Sequence, residues 1–472
     1  MVAGTPPTAA SADDPTGVLV GSGLSAEAAA EWLSSEPTRT ADLATDRHRY
    51  SAFWLRSEAL VAALPRKPQR NAVEAAAAAL VLDRARAARE RFLAVHAEAV
   101  YDEITARDML RLEDLVFAAA AAVPGLAPSP EDVAAEAGLN QGDKDGIEID
   151  QGIFLAHVLA SPRTGTHLCH AMLLPLPESD EAAARFAAEG RLDLGTVALE
   201  RRGKAVHVTA GNPRFLNAED NSTLRRMETA VDVAILDPDS EIMVVRGGRV
   251  DHPKYGGRRI FGAGINLTHL YRGRIPFVWF MTRDLGYVHK LFRGVARPEA
   301  VPDDLAGRSS EKPWVAAVES FAIGGHCQLL LVADYVLAAD DAFMSLPARK
   351  EGIIPGFANL RLPRLTGERI AREAILYERK LVCDSVEGRL ICDEIASAAV
   401  MDDAIDRVVA GLTDAGSVSA VGNRRAFRVA MEPLEAFRRY ASVYAREQAY
   451  CHFSPALIAN LERNWDAKNR RG

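Results

Sequence analysis

The stretch VAAVESFAIGGHCQLLLVADYVLA, Val315 to Ala338, decides the fold. Trp314 to Val318 is a short apolar run with two valines and reads as a buried strand. Gly324-Gly325 is a corner, Gly325 to Ala333 an apolar helix, and Asp334 to Ala338 a second strand. Two strands joined by a helix of this length imply a parallel crossover, and so a layered α/β domain.

The same grammar extends upstream. Val206 to Thr209 reads as a strand, followed by a turn at Gly211-Asn212-Pro213. Leu224, Met227, Val231 and Ile235 recur at three- and four-residue intervals and share one helix face. Glu241 to Arg246 is another strand, closed by Gly247-Gly248, and Thr282 to Val295 reads as a single helix. A second glycine turn, FGAGINL, occupies Phe261 to Leu267. Neither glycine turn matches a phosphate-binding loop, since GxxxxGK[ST] and GxGxxG are both missing.

Farther out, Ala26 to Ala122 is rich in Ala, Arg, Glu and Leu, and Asn71 to Thr105 is almost entirely good helix formers. A break follows at Val123 to Asp132, and the pattern up to about Leu194 supports no assignment. Beyond about Gly367 the chain returns to helix. The expected organisation is a flexible start over 1–25, a mainly helical region over 26–194, an α/β core over 195–370, and a helical region over 371–472 that helps oligomerise.

The 472 residues suffice for about three folding units at roughly 150 each. Hydrophobic residues make up 48% and charged residues 25%, which excludes disordered and fibrous classes. With 64 acidic against 56 basic side chains the net charge is −8, which argues against a nucleic-acid or anionic-membrane partner. Five scattered cysteines form no disulfide framework and fit a reducing compartment. The start lacks the charged and apolar regions of a signal peptide, and Pro124 interrupts the longest nearly uncharged stretch, Leu115 to Pro128. A cytoplasmic location is expected.

Four segments in order, LNAEDNSTLRRMETAVDVAI, FGAGINL, VAAVESFAIGGHCQLLLVADYVLA and EGIIPGF, resemble the signature of the crotonase (enoyl-CoA hydratase/isomerase) superfamily over about Val206 to Thr366. The resemblance implies an α/β fold with a crotonase-type spiral core of ββα repeats. It implies that the N–H groups of Ile265 and Gly325 form an oxyanion hole for a coenzyme A thioester carbonyl, with Ala263, Gly264, Asn266 and Leu267 lining the first turn. Two fixed donors in a dry site stabilise the charge that develops on that oxygen, typically by ~3 kcal/mol each.

The departures from the family pattern narrow the reading. Hydratases of this family carry one glutamate where this chain has Gln328 and another where, counting back from Pro355 without a gap, it has Ala348. Neither side chain exchanges protons at neutral pH, so hydration is disfavoured, although Glu351 lies near the second position. The long helical extension, the phrase HPKYGGRRIFGAGINLTHLYRG (His252 to Gly273) and GGHCQ resemble a branch that oxygenates a dihydroxyphenylacetyl thioester with O2, using neither metal nor organic cofactor, in making a building block of glycopeptide antibiotics.

On that resemblance Glu219 and Arg283 hold the substrate's polar end, and Gln328 hydrogen-bonds near the reacting carbon. The plainer alternatives are a carboxylate favoured by its own helix dipole and a surface cation. His252, with Lys254, Arg258 and Arg259, is a candidate for the coenzyme A portion or for loop solvation. Phe277, Trp279, Phe280 and Leu329 are candidate walls of an O2 pocket, against simple core packing. His167-Leu168-Cys169-His170 has no familiar metal-ligand spacing, and Cys327 is expected to be buried rather than nucleophilic. The implied assembly is a homotrimer or homohexamer. The alternatives are another crotonase reaction such as thioester hydrolysis or isomerisation, and a non-catalytic acyl-CoA-binding scaffold.

Overall fold

Strand-forming runs separated by helices build one seven-stranded sheet. In the computed structural model, which describes residues 14–106, 108–303, 305 and 309–470, its order is Arg191–Asp193, Val197–Arg202, Ala205–Ala210, Ile242–Gly247, Trp314–Val318, Tyr335–Ala339 and Glu394–Ala396. The first three strands are antiparallel, and every later pairing is parallel. All five residues of Trp314–Val318 are buried, as a central strand covered on both faces requires. A small second sheet sets Phe343–Ser345 between Phe321–Ile323 (parallel) and Leu381–Val382 (antiparallel). The chain thus passes directly from the large sheet at Val318 into the small one at Phe321, just before the Gly324-Gly325 corner.

A second apolar core is helical. The long helix Ala72–Thr105 starts at a capping box, in which Asn71 accepts from the Glu74 amide and Glu74 accepts from the Asn71 amide. Ile149–Ala160 packs along Leu434–His452 so closely that a Cβ on Gly152 would stand 2.4 Å from the Cβ of Ala449. This core takes in Ile265, Leu270 and the helix Phe277–Leu285 from the middle of the chain, and Leu457 and Leu461 from its end. Of the C-terminal helices, Leu434–His452 and Pro455–Trp465 join this helical core, whereas Met401–Thr413 packs on the sheet core.

Several expectations need correction. Pro15–Gly21 is a helix capped by Asp14 with Leu19 buried, so the start is ordered from there; residues 1–13 lie outside the described residues. The unassigned stretch contains the helices Ile149–Ala160, Pro162–Leu173 and Ser179–Glu189. Thr282 to Val295 is not one helix: Phe277–Leu285 and Tyr287–Arg293 meet at Gly286, where a Cβ would stand 2.8 Å from the Glu228 carboxylate. The helix after the Gly324-Gly325 corner ends at Leu330 rather than Ala333. Among the described residues no helix is long and apolar enough to cross a membrane.

Candidate active site

The two glycine turns, about 60 residues apart in sequence, are bonded to each other. Gly262 donates to Phe321 O (3.3 Å) and Ile323 donates to Gly262 O (3.0 Å). The Glu219 amide donates to Gly264 O (2.7 Å) and the Asn266 amide to Glu219 O (2.8 Å), which fixes Ile265 between them. His326 completes the join, its Nδ1 accepting from the Gly264 amide at 3.1 Å. Burial, aided by Arg283 and opposed by Glu219, lowers this imidazole to about 4, so it is neutral at pH 7 and can accept through Nδ1. The Gly264 backbone has φ +80°, a left-handed conformation that suits glycine.

Among the described residues the Ile265 and Gly325 amides make no hydrogen bond, and both residues line one small inner cavity. Its other walls include Glu219, Trp279, Phe280, Arg283, Asp284, Gln328, Ala348, Glu351 and Tyr444. Gly325 allows a close approach, for a Cβ there would stand 2.4 Å from Glu219 Oε2 and 2.9 Å from Arg283 Nη2. The inner volume is about 30 Å³, whereas a cavity that binds benzene is on the order of 150 Å³. A ring can therefore enter only as the walls move.

One wall is a buried ion network. Arg283 Nε donates to both Glu219 oxygens (2.9 and 3.0 Å), its Nη1 to Asp284 (2.8 Å) and Gln328 Oε1 (3.0 Å), and its Nη2 to Gly325 O (2.7 Å). The Tyr287 hydroxyl also donates to Glu219. Burial alone would raise the Glu219 carboxyl, but Arg283, His326 and Tyr287 hold it below the ordinary carboxylate range. The lining also includes Glu351, whose side chain makes no hydrogen bond or ion pair among the described residues. Burial first and Glu378 second push it up to about 7, against Lys350.

Ile265 and Glu351 also line a wider cleft of about 610 Å³ that opens outward. Arg214, Lys350, Lys380 and Arg470 line this cleft together with His252 and with Glu378, which pairs with Lys350 at 3.9 Å, so cations outnumber carboxylates there on a chain of net charge −8. An excess of cations in a cleft favours polyanionic ligands.

The sequence-derived residues fall into two groups. Ile265, Gly325, Gln328, Glu219 and Arg283 meet around the inner cavity, and Ala263, Asn266, Leu267 and His252 line the outer cleft. Gly264 sits between the two turns. The surface-cation alternative for Arg283 is overturned by its 3% exposure. Asn266 has a structural task, capping the helix Leu267–Tyr271 and donating to Asp220. Arg258 pairs with Asp341, and Arg259 Nη1 donates to Gly247 O, so neither joins the cationic cleft; Lys254 lies over the Tyr255 ring. Of the four suspected walls, Trp279 and Phe280 line the cavity, while Phe277 and Leu329 are packed elsewhere.

Cys327 is buried and its thiol is pushed up to about 12, which suits a core residue. His167 pairs with Tyr101 and His170 with Arg297 O, and among the described residues no three His, Cys, Asp or Glu side chains are grouped to hold a metal ion. Arg214, Lys350, Lys380 and Arg470 were not anticipated. Only Arg214 had a local signal, its place just past a parallel strand, where ligands gather in open α/β sheets.

The family described as Enoyl-CoA hydratase/isomerase matches residues 294–449. The (3,5-dihydroxyphenyl)acetyl-CoA 1,2-dioxygenase of Amycolatopsis orientalis is 44% identical over 431 residues, 91% of this chain and 98% of that one. A short-chain-enoyl-CoA hydratase of Clostridium acetobutylicum is 30% identical over 196 residues, 41% of this chain and 66% of that one. The crystal structure of an enoyl-CoA hydratase from Mycobacterium avium subsp. paratuberculosis K-10 aligns at 19% identity with a TM-score of 0.47, covering 57% of this chain and 98% of that one. On the strength of a near full-length relative and the two joined glycine turns, the chain belongs to the crotonase, or enoyl-CoA hydratase/isomerase, superfamily.

Proposed function

We propose that the protein is a dioxygenase that converts (3,5-dihydroxyphenyl)acetyl-CoA and O2 to (3,5-dihydroxyphenyl)glyoxylate and coenzyme A. The observation that carries the reading is the pair of unbonded amides, Ile265 and Gly325, lining a small cavity that shares Ile265 and Glu351 with a cation-lined cleft. The 44% identity to a dioxygenase over 98% of its length supports the same reaction.

The coenzyme A phosphates lie among Arg214, Lys350, Lys380 and Arg470, and the thioester carbonyl accepts from the two amides. Loss of a Cα proton then leaves an enolate delocalised over the ring and the carbonyl, and its negative oxygen is stabilised by the same two donors. The ring hydroxyls take over hydrogen bonds that Glu219 and Arg283 now give each other, which opens that wall to the ring. A ring without hydroxyls cannot replace those bonds, so it enters only by leaving the separated pair unsatisfied and is rejected by a large factor, on the order of 10⁴.

The electron-rich enolate reduces O2 directly, so the reading calls for no metal or organic cofactor. O2 bonds at Cα, and the distal oxygen of the resulting peroxide attacks the thioester carbonyl and expels the thiolate. Trp279 and Phe280 supply the apolar surroundings in which O2 dissolves. Assembly as a trimer or hexamer and a cytoplasmic location, with the product serving glycopeptide antibiotic synthesis, belong to the same proposal.

Incubating metal-stripped protein with the thioester in air and under argon tests it. O2 uptake with formation of the arylglyoxylate is the expected result. Thiol release at equal rates with and without O2 would make the protein a hydrolase, and no turnover would make it a binding scaffold.

A further inference from the structure

Three carboxylates line the inner cavity: Glu219, Asp284 and Glu351. The first two share Arg283, with Nε on Glu219 and Nη1 on Asp284; burial outweighs Arg283 and raises the Asp284 carboxyl, but its ion pair ties it to that wall, and of the three only Glu351 also lines the outer cleft. Glu351 is 6% exposed and touches both the inner cavity and the outer cleft. It follows the family's vacant carboxylate position, Ala348, by three residues, one turn along the short helix Ala348–Glu351, and Ala348 lines the same cavity. A buried carboxyl without a partner costs stability, so its presence at the junction of the two spaces calls for a use.

We propose that Glu351 is the group that removes the Cα protons, a catalytic assignment that rests on the thioester reading above. In the first step the Cα–H bond breaks, the proton goes to Glu351 and the electron pair moves to the carbonyl oxygen between the Ile265 and Gly325 amides. O2 takes that pair in two one-electron steps and bonds at Cα. As the distal oxygen bonds to the carbonyl carbon, the C–S bond breaks and the departing thiolate takes the proton back from Glu351. In the last step the second Cα–H bond breaks, its pair becomes the keto π bond, and the O–O bond cleaves to leave the carboxylate. Glu351 receives this second proton and passes it to the outer cleft. Its place at the boundary lets one side chain serve both the acyl carbon and the sulfur.

The charges around Glu351 set its working range. Lys350 and Glu378 are the nearest, Arg214, Lys380 and Arg470 face it across the cleft, and Glu219, Arg283, Asp284 and Tyr444 lie across the inner cavity. Burial outweighs Lys350 and holds the carboxyl at about 7, where a base is half ionised at neutral pH. The dependence of kcat/KM on pH should therefore rise through about 7 and level off above it.

The test compares wild type, Glu351→Gln and Glu351→Asp by two readouts: Cα deuterium incorporation from D2O under argon, and O2 uptake in air. Glu351→Gln should lose at least about a hundredfold in both, with thioester affinity within about threefold of wild type and thermal stability undiminished. Glu351→Asp should recover part of the exchange and keep a pH-dependent limb. Exchange by Glu351→Gln at the wild-type rate would overturn the assignment, as would an unshifted pH limb in that variant. Should Glu351→Gln fail to fold, Glu351→Asp with a wild-type rate and pH profile would also overturn it. Wild type that exchanges in a Glu351-dependent way without consuming O2 would support the base and sink the oxygenase reading. Wild type that does not exchange would overturn both.

Discussion

The two glutamates that line the inner cavity are buried to the same degree, at 7% and 6% exposure, and they shift in opposite directions. Burial pushes both carboxyls up; at Glu219 the Arg283 guanidinium, His326 and Tyr287 overcome it, while at Glu351 Lys350 does not. Partners, not depth, decide the sign. One carboxyl is held charged, and the other is left with a raised proton affinity.

The strongest way to break this contrast is Gly325→Ala. The new Cβ would meet Glu219 Oε2 at 2.4 Å and Arg283 Nη2 at 2.9 Å, displacing the paired wall and the Gly325 amide together. Thioester turnover followed by O2 uptake should fall by about a thousandfold or more. Arg283→Met is next: it strands Glu219 without its main partner and should cost about 3–5 kcal/mol in urea unfolding at pH 7. Its Glu219 should then resemble Glu351, with a raised carboxyl, and a titration by carboxyl infrared bands would show that.

Glu351→Gln should act in the opposite direction on stability. Its folded value of about 7 lies above the unfolded value near 4.5, so the folded form binds the extra proton and native stability falls as pH rises from about 4.5 to 7. At about 1.4 kcal/mol for each tenfold change in proton affinity, the penalty reaches about 3 kcal/mol above pH 7. The variant should therefore be more stable than wild type by up to that amount at pH 8, and no more stable below pH 4.5. Glu219 has the reverse linkage: its lowered value contributes stability above about 4.5 that is lost as pH falls through its folded value. His326→Asn sharpens the comparison least, removing one hydrogen bond to Gly264 at a cost of about 1 kcal/mol, read as a small drop in melting temperature.

The two glycine turns and the strands that lead into them were legible in the sequence because they are local signals. Ile265, Gly325, Glu219, Arg283 and Gln328 were singled out only by the resemblance to the crotonase superfamily, and the structure brings them around one cavity. What depends on long-range packing was not legible. Arg214, Lys350, Lys380 and Arg470 come from four separate segments, and Tyr444 reaches the cavity from the C-terminal helix Leu434–His452. Counting back from Pro355 landed on Ala348, and only the one-turn helix shows that Glu351 lines the same space. Gly286 stood inside a helical pattern with no sign that Glu228 would press against it. His326 stood in the GGHCQ segment with no role assigned, whereas its work is to tie the two turns together.

The account turns on both atoms of one O2 entering the product, one bonding at Cα and the other at the thioester carbon. Turnover under ¹⁸O2, with immediate borohydride trapping of the keto acid, measures this directly. One labelled oxygen on Cα and one in the carboxylate is the predicted result. A carboxylate whose new oxygen comes from water would contradict it.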